Sequence, residues 1–367
     1  MKNIIVWIVS LGLLFMIFTS GCEANQANPE NNVSTAKTES NISVYTEKPI
    51  DVSMPTSTKI TPIVNTPKLS ETPEHYDDYV SENNWEGWIL FVSDHEGYRE
   101  LYLLSPETLE TIKLGVGALE PSHPAWSHNY QKIAFLGKLG NKEVVYLLDL
   151  RCLLVENSCH DSVYSLSILG LNVQNGKIAW HPNNHQIAFQ FWRGDILIRT
   201  GIAIIDIDTN DFQILIEDNA INPTFSQNGE ILLYTSLLPL TDEPTDGNIF
   251  SLEISSKNQH LLLSPEIILR DSFKADWSLN DDIVFVSSTG DLFIGDWATK
   301  LYITDSTGST LTDLMTYGDS PSWSPSGEKI IYMTREGLIL LDINNFSSQL
   351  LFSIQGKIQN FQAAWSP

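Results

Sequence analysis

The chain has 367 residues, with 45 Asp and Glu against 21 Lys and Arg, a formal net charge of −24. That balance excludes nucleic acid as a partner, because phosphates demand a basic face, and it excludes docking of the folded part itself on anionic lipid. Acidity of this kind first serves solubility, and then admits calcium or cationic ligands.

Residues 1–22 read as a lipoprotein signal peptide. Met1 and Lys2 form a short basic start, and Ile4 to Phe18 an apolar run of signal-peptide length, too short for a comfortable membrane span. The run ends in Thr19-Ser20-Gly21-Cys22. Small residues before a cysteine resemble a bacterial lipobox, in which the cut precedes the cysteine and its thiol carries the lipid. Thr19 departs from that pattern, where Leu is usual. Cys22 is the expected lipidation site; the alternative is a secreted protein cut near Gly21.

Residues 23–84 are rich in Asn, Ser, Thr and Glu, with spaced prolines at Pro49, Pro55, Pro62, Pro67 and Pro73. Such sequence lacks the apolar density to offset the entropy of ordering, so a disordered linker is expected. A coil of that length spans about 40 Å.

Residues 85–367 predict one all-β domain built from a repeat. The repeat is an aromatic anchor, a polar turn and an apolar run. Its anchors are Trp126, Trp180, Phe225, Trp277, Trp323 and Trp365, at intervals of 42 to 54 residues. Each of the first five leads into an apolar run, as Trp323 leads into Ile330-Ile331-Tyr332-Met333; a second and a third run follow. The runs are rich in β-branched and aromatic residues and bounded by Gly, Asn, Asp and Pro, as strands are. The period suits a four-stranded propeller blade, a–b–c–d, with the anchor ending strand a. After Trp365 only Ser366 and Pro367 remain, while Trp88 to Leu114 supply strands b, c and d without a strand a. The count balances as a six-bladed β-propeller whose closing blade joins a C-terminal innermost strand to three N-terminal strands. A closed ring also removes exposed sheet edges.

The stretch Trp323-Ser324-Pro325-Ser326-Gly327-Glu328-Lys329-Ile330-Ile331-Tyr332 resembles the TolB-type, WD40-like repeat, and Trp126, Trp180 and Trp277 carry degraded copies. The resemblance covers about Trp88 to Pro367. It departs at Phe225, which replaces Trp, and at Leu279-Asn280-Asp281-Asp282, which lacks the turn Gly. It implies a propeller with a tendency to bind proteins or other ligands, and it supplies no catalytic residues. TolB itself has another domain before its propeller and no lipid anchor, so its Tol–Pal role does not carry over.

Besides Cys22, the cysteines are Cys152 and Cys159, between two strand-like runs. In an extracytoplasmic compartment they are expected to form a disulfide across that hairpin loop. His123, His128, His181 and His185 lie near two neighbouring anchors, but no carboxylate partner stands at a defined metal-site spacing. No metal ligand, catalytic residue or cofactor is therefore assigned, with calcium, zinc or manganese as the metals to consider. No hydrolase elbow, metalloprotease, phosphate-loop, EF-hand or dinucleotide motif occurs.

The b–c loops share one face of the ring with the d–a connections, and several are long. They offer a candidate ligand-binding face of Trp192, Arg193, Asp195, Asp242, Asp246, Asp291 and Trp297. Exposed Trp among acids suits a carbohydrate, a peptide or an envelope protein. The expectation is a non-enzymatic, membrane-tethered binding module outside the cytoplasm. The alternative is a propeller enzyme acting on glycans or peptides at a loop-face site, with or without a metal.

Overall fold

A computed structural model describes residues 85–155, 159–194, 199–217, 219–237, 247–263, 269–288, 299–353 and 363–366. The chain divides into two units, Met1–Glu71 and Thr72–Pro367. All described residues belong to the second. The signal peptide, Cys22 and the linker lie outside them.

The described residues form six antiparallel sheets, each with the blade order a–b–c–d. The ring closes as the repeat count requires. Ala363–Trp365 pairs with Ile89–Ser93, which pairs with Glu100–Leu104, which pairs with Thr111–Lys113. In this first blade Trp365 faces Ile89 across the ladder, and the Ser366 N–H donates to Trp88 O at 2.9 Å. Helix is confined to Cys152–Val155 and two short 3-10 turns among the described residues. None is long and apolar enough to cross a membrane.

The core is not one mass but six apolar clusters, one at each junction between blades. Trp126 of the second blade packs with Leu90 and Val92 of the first. Trp180 packs on Leu136 and Val145 of the second blade, and Phe225 on Ala188 and Ile202 of the third. Trp277, Trp323 and Trp365 repeat this on the fourth, fifth and sixth blades. All six anchors are buried. An aromatic of this size buries about 150–250 Å², so each anchor cements a junction that no single blade could bury alone.

The serine after the anchor closes the a–b turn. Ser127 Oγ accepts the Lys132 N–H at 2.9 Å, and Ser226 and Ser324 accept from Ile231 and Lys329 at 3.0 Å. In the third blade His181 takes the serine's place: its Nδ1 accepts the Asn183 N–H at 3.2 Å. The residue four after each of these anchors is left-handed. Glycine provides this at Gly229 and Gly327, whereas Tyr130, Asn184 and Asp281 adopt it at φ near 60°.

The disulfide joins Cys152 to Cys159 between strands c and d of the second blade, with Cα atoms 5.1 Å apart. Both cysteines are buried with Leu114 and Trp126, and the Cys159 N–H donates to Leu114 O at 3.1 Å. The bridge thus pins the loop to the neighbouring first blade.

Candidate functional site

Strands a line a central channel, and they reach it through a shared irregularity. In the second, fourth, fifth and sixth blades the a–b register slips by one residue ahead of the anchor, strand a advancing three positions against two on strand b. The pairs Ser122–Leu136 and Ala125–Ala134 bracket one slip; Ile221–Thr235 and Thr224–Leu233 bracket another. Phe273–Val286 and Asp276–Val284 bracket the third, Asp319–Met333 and Ser322–Ile331 the fourth. Each slip holds a left-handed residue three positions before the anchor: His123 (φ 49°), Asn222 (55°), Lys274 (54°) and Ser320 (50°). A non-glycine residue pays about 1–2 kcal/mol for this conformation. In the third blade strand a is split instead, into Asn172–Val173 and Ala179–Trp180.

The bulges turn these side chains to the channel. His123, Asn222, Lys274 and Ser320 all line a cavity of about 240 Å³, with Lys177 from the third blade and the anchors below them. A second cavity, about 370 Å³, opens where strands a begin. It shares His123, Asn222 and Lys274 with the first and adds Gln174, Asn175 and Gln190. The two form a channel with a polar mouth and an aromatic floor.

A polar tie crosses the channel. Lys177 Nζ donates to Ala275 O at 2.9 Å and lies 3.3 Å from Asp276 Oδ1. Thr224 Oγ1 reaches the same oxygen at 3.4 Å, while Asp276 Oδ2 accepts the Trp323 N–H at 3.0 Å. One carboxylate therefore links the third, fourth, fifth and sixth blades. Lys274 is paired with Asp319 and approaches Ser320 Oγ at 3.4 Å.

Both channel histidines are held neutral. Burial, helped by the charges of Lys274 and Arg99, pushes His123 down to about 3. Burial also lowers His128. His181 is engaged in its turn and lies edge-on to Phe225, and His185 Nδ1 is 2.6 Å from Asp208 Oδ2. No group of three or more His, Cys, Asp or Glu that could hold a metal occurs among the described residues.

Of the loop residues singled out from the sequence, Trp192 and Arg193 are described. Trp192 stands opposite Thr200 and Asn172 near the end of its strand, and Arg193 pairs with Glu217 at 2.9 Å. Neither lines the two cavities. Asp195, Asp242, Asp246, Asp291 and Trp297 lie outside the described residues. Beyond the repeat motif itself, sequence reasoning reached only His123 and His128 of the channel residues, and those as metal-ligand candidates. The channel's signal was in the repeat: aligning the anchors places His123, Lys177, Asn222, Lys274 and Ser320 at one position, three residues earlier.

No family model matches the chain, and no curated protein matches it. Solved structures do. TolB from Acinetobacter baumannii superposes with a TM-score of 0.62 at 19% identity, over 78% of this chain and 68% of that one. A putative TolB from Agrobacterium tumefaciens gives 0.52 at 19% identity, over 68% and 89%. An oligogalacturonate lyase in complex with manganese gives 0.50 at 12% identity, over 71% and 72%. The chain has a TolB-like six-bladed propeller fold.

Proposed function

We propose that this propeller is a non-enzymatic binding module, lipid-tethered at Cys22 outside the cytoplasm, which takes its ligand at the channel mouth. The observation that carries this reading is the channel itself. Four inner strands adopt costly left-handed bulges; His123, Asn222 and Lys274 line one polar opening, and Ser320 lines the inner cavity below it. Strain repeated at equivalent positions and directed at a cavity points to recognition. The fold is shared with solved structures described as TolB and as a lyase, so the lining has to separate binding from catalysis. Asp276 is the sole carboxylate among the described lining residues, and Lys177, Thr224 and the Trp323 N–H already engage it. Those contacts favour a structural tie over general acid–base work at this carboxylate. The reading keeps Trp192, Arg193, Asp195, Asp242, Asp246, Asp291 and Trp297 of the b–c loops as a proposed extension of this binding face.

The test is a pulldown from cell-envelope extract with the full chain as bait. A component captured by the wild type and lost on Asn175→Trp, which crowds the mouth, supports the reading. Metal-dependent turnover in a glycan and peptide hydrolysis screen would replace it with an enzyme. For the tether, labelled palmitate should enter the wild type and not Cys22→Ser; equal labelling of both removes the anchor.

A further inference from the structure

The mouth has an unusual chemistry for so acidic a chain. Its polar lining is dominated by carboxamides, Gln174, Asn175, Gln190 and Asn222, and no Asp or Glu is among its described lining residues. The lysine there, Lys274, is paired with Asp319. His123, at the junction with the inner cavity, is neutral throughout the physiological range. A site for an anion would present unpaired cations, and a site for a cation unpaired carboxylates.

Carboxamides present a donor and an acceptor side by side, which matches a hydroxyl group that both donates and accepts. Two of the four are set by the fold. Gln190 is buried, its Oε1 accepts the Asn222 N–H at 2.8 Å, and a Cβ on Gly176 would stand 2.3 Å from its carboxamide atoms. Gly176 is therefore the space that Gln190 fills. Gln174 is held by its own backbone N–H, which donates to Gln190 O at 2.9 Å. Its side-chain Oε1 is buried with no hydrogen-bond donor. A buried acceptor without a donor is costly, and a turn of the Gln174 side chain toward the cavity that it already lines would bring its Oε1 within reach of a ligand hydroxyl. Phe273 adds an apolar wall for a C–H face. The volume, about 370 Å³, falls at the small-molecule end of the pocket range.

We infer that the mouth binds an uncharged polyhydroxylated ligand, the end of a neutral glycan, through the carboxamides of Gln174, Asn175, Gln190 and Asn222. This rests on the binding-module reading and names its ligand class. The glycan's hydroxyls donate to Gln174 Oε1 and accept from the amide N–H groups, and its ring lies against Phe273.

Isothermal titration of the full chain tests this. The neutral probes are maltotriose, cellotriose, chitotriose and mannotriose; trigalacturonate is the charged control. At least one neutral trisaccharide should bind with a Kd of about 1 mM or tighter. Its affinity should hold between about 50 and 500 mM salt, because no ion pair is made. Gln174→Leu and Asn175→Ala should each weaken it about tenfold. Asn175 is exposed, accepts from Ser122 Oγ at 3.4 Å and hydrogen-bonds His123; an unchanged thermal melt of its variant separates lost binding from lost fold. Failure of all four neutral probes, or salt-sensitive binding of trigalacturonate alone, overturns the inference. If the sugars fail while the envelope pulldown still loses its component on Asn175→Trp, only the ligand class falls. If both fail, the binding module falls with it.

Discussion

At the scale of single residues, the left-handed position of the a–b turn shows how a repeat tolerates decay. Gly327 occupies it without cost, whereas Asp281 holds φ 64° in the turn that lacks glycine. The Ser278 hydroxyl still closes that turn by accepting the Asp282 N–H at 2.9 Å. Asp281→Gly should therefore raise stability, by about 0.5–1 kcal/mol in chemical denaturation, as backbone strain is relieved. An unchanged or lower midpoint would show that the carboxylate contributes more than the strain removes. His123 makes a second prediction. Its folded pKa lies near 3, below the ordinary imidazole value. The unfolded chain then binds a proton that the folded chain refuses, so stability should decline as pH falls from about 6.5 toward 3. His123→Gln should flatten that part of the profile; an identical slope in both proteins would assign the acid sensitivity elsewhere. Glu100 illustrates a residue whose role no pattern announces. It reads as the polar start of an apolar run, yet it is buried and accepts the N–H groups of Leu101, Val116 and Gly117 at 2.8–2.9 Å. It fixes the connection from the first blade to the second.

At the scale of elements, strands b and c follow their sequence pattern closely, because both are sandwiched between neighbouring blades. Ile133–Leu136 and Ile283–Val286 are fully buried. Strand a is different. Its anchor half obeys the repeat, and its first half is bent into the channel. Proline at Pro124, Pro223 and Pro321 follows the left-handed residue in three blades, consistent with a break in regular pairing there. The anchor should carry much of each junction's stability. Trp323→Ala should cost about 3–5 kcal/mol, read from the urea midpoint, because it leaves a cavity between the fifth and sixth blades. The disulfide acts at the same scale. Cys152→Ser with Cys159→Ser should lower stability by about 2 kcal/mol. Protease cutting near residue 155 should rise with it, since the bridge holds that loop on Leu114. No change in either readout would leave the bridge without a structural role.

At the scale of the whole molecule, closure decides stability. Trp365 packs on Ile331 and Met333 of the sixth blade while its strand pairs with the first. Its indole N–H donates to Gly87 O at 2.8 Å. Deleting residues 360–367 removes both links and opens the ring. The truncated chain should melt well below the full chain, by more than about 2–4 °C, the shift that about 1 kcal/mol produces in a large domain. A melting curve that matches the full chain would refute closure through this strand.

The sequence by itself determined the blades, their number and the closing strand. Each of those follows from local alternation and from a period that can be counted, and six anchors against six b–c–d sets admit one ring. It also determined the disulfide, since two neighbouring cysteines in one hairpin loop have few alternatives. The channel was decided only by the tertiary structure. Lys177 and Asp276 are 99 positions apart and meet because a ring brings strand a of every blade to one axis. Five equivalent positions converge there among the described residues, and nothing in one strand tells which side chains will pair across the gap. Charge pairing, burial of His123 and the donor-less Gln174 Oε1 are properties of that convergence. They emerge when desolvation and distance act together, which no one-dimensional pattern encodes.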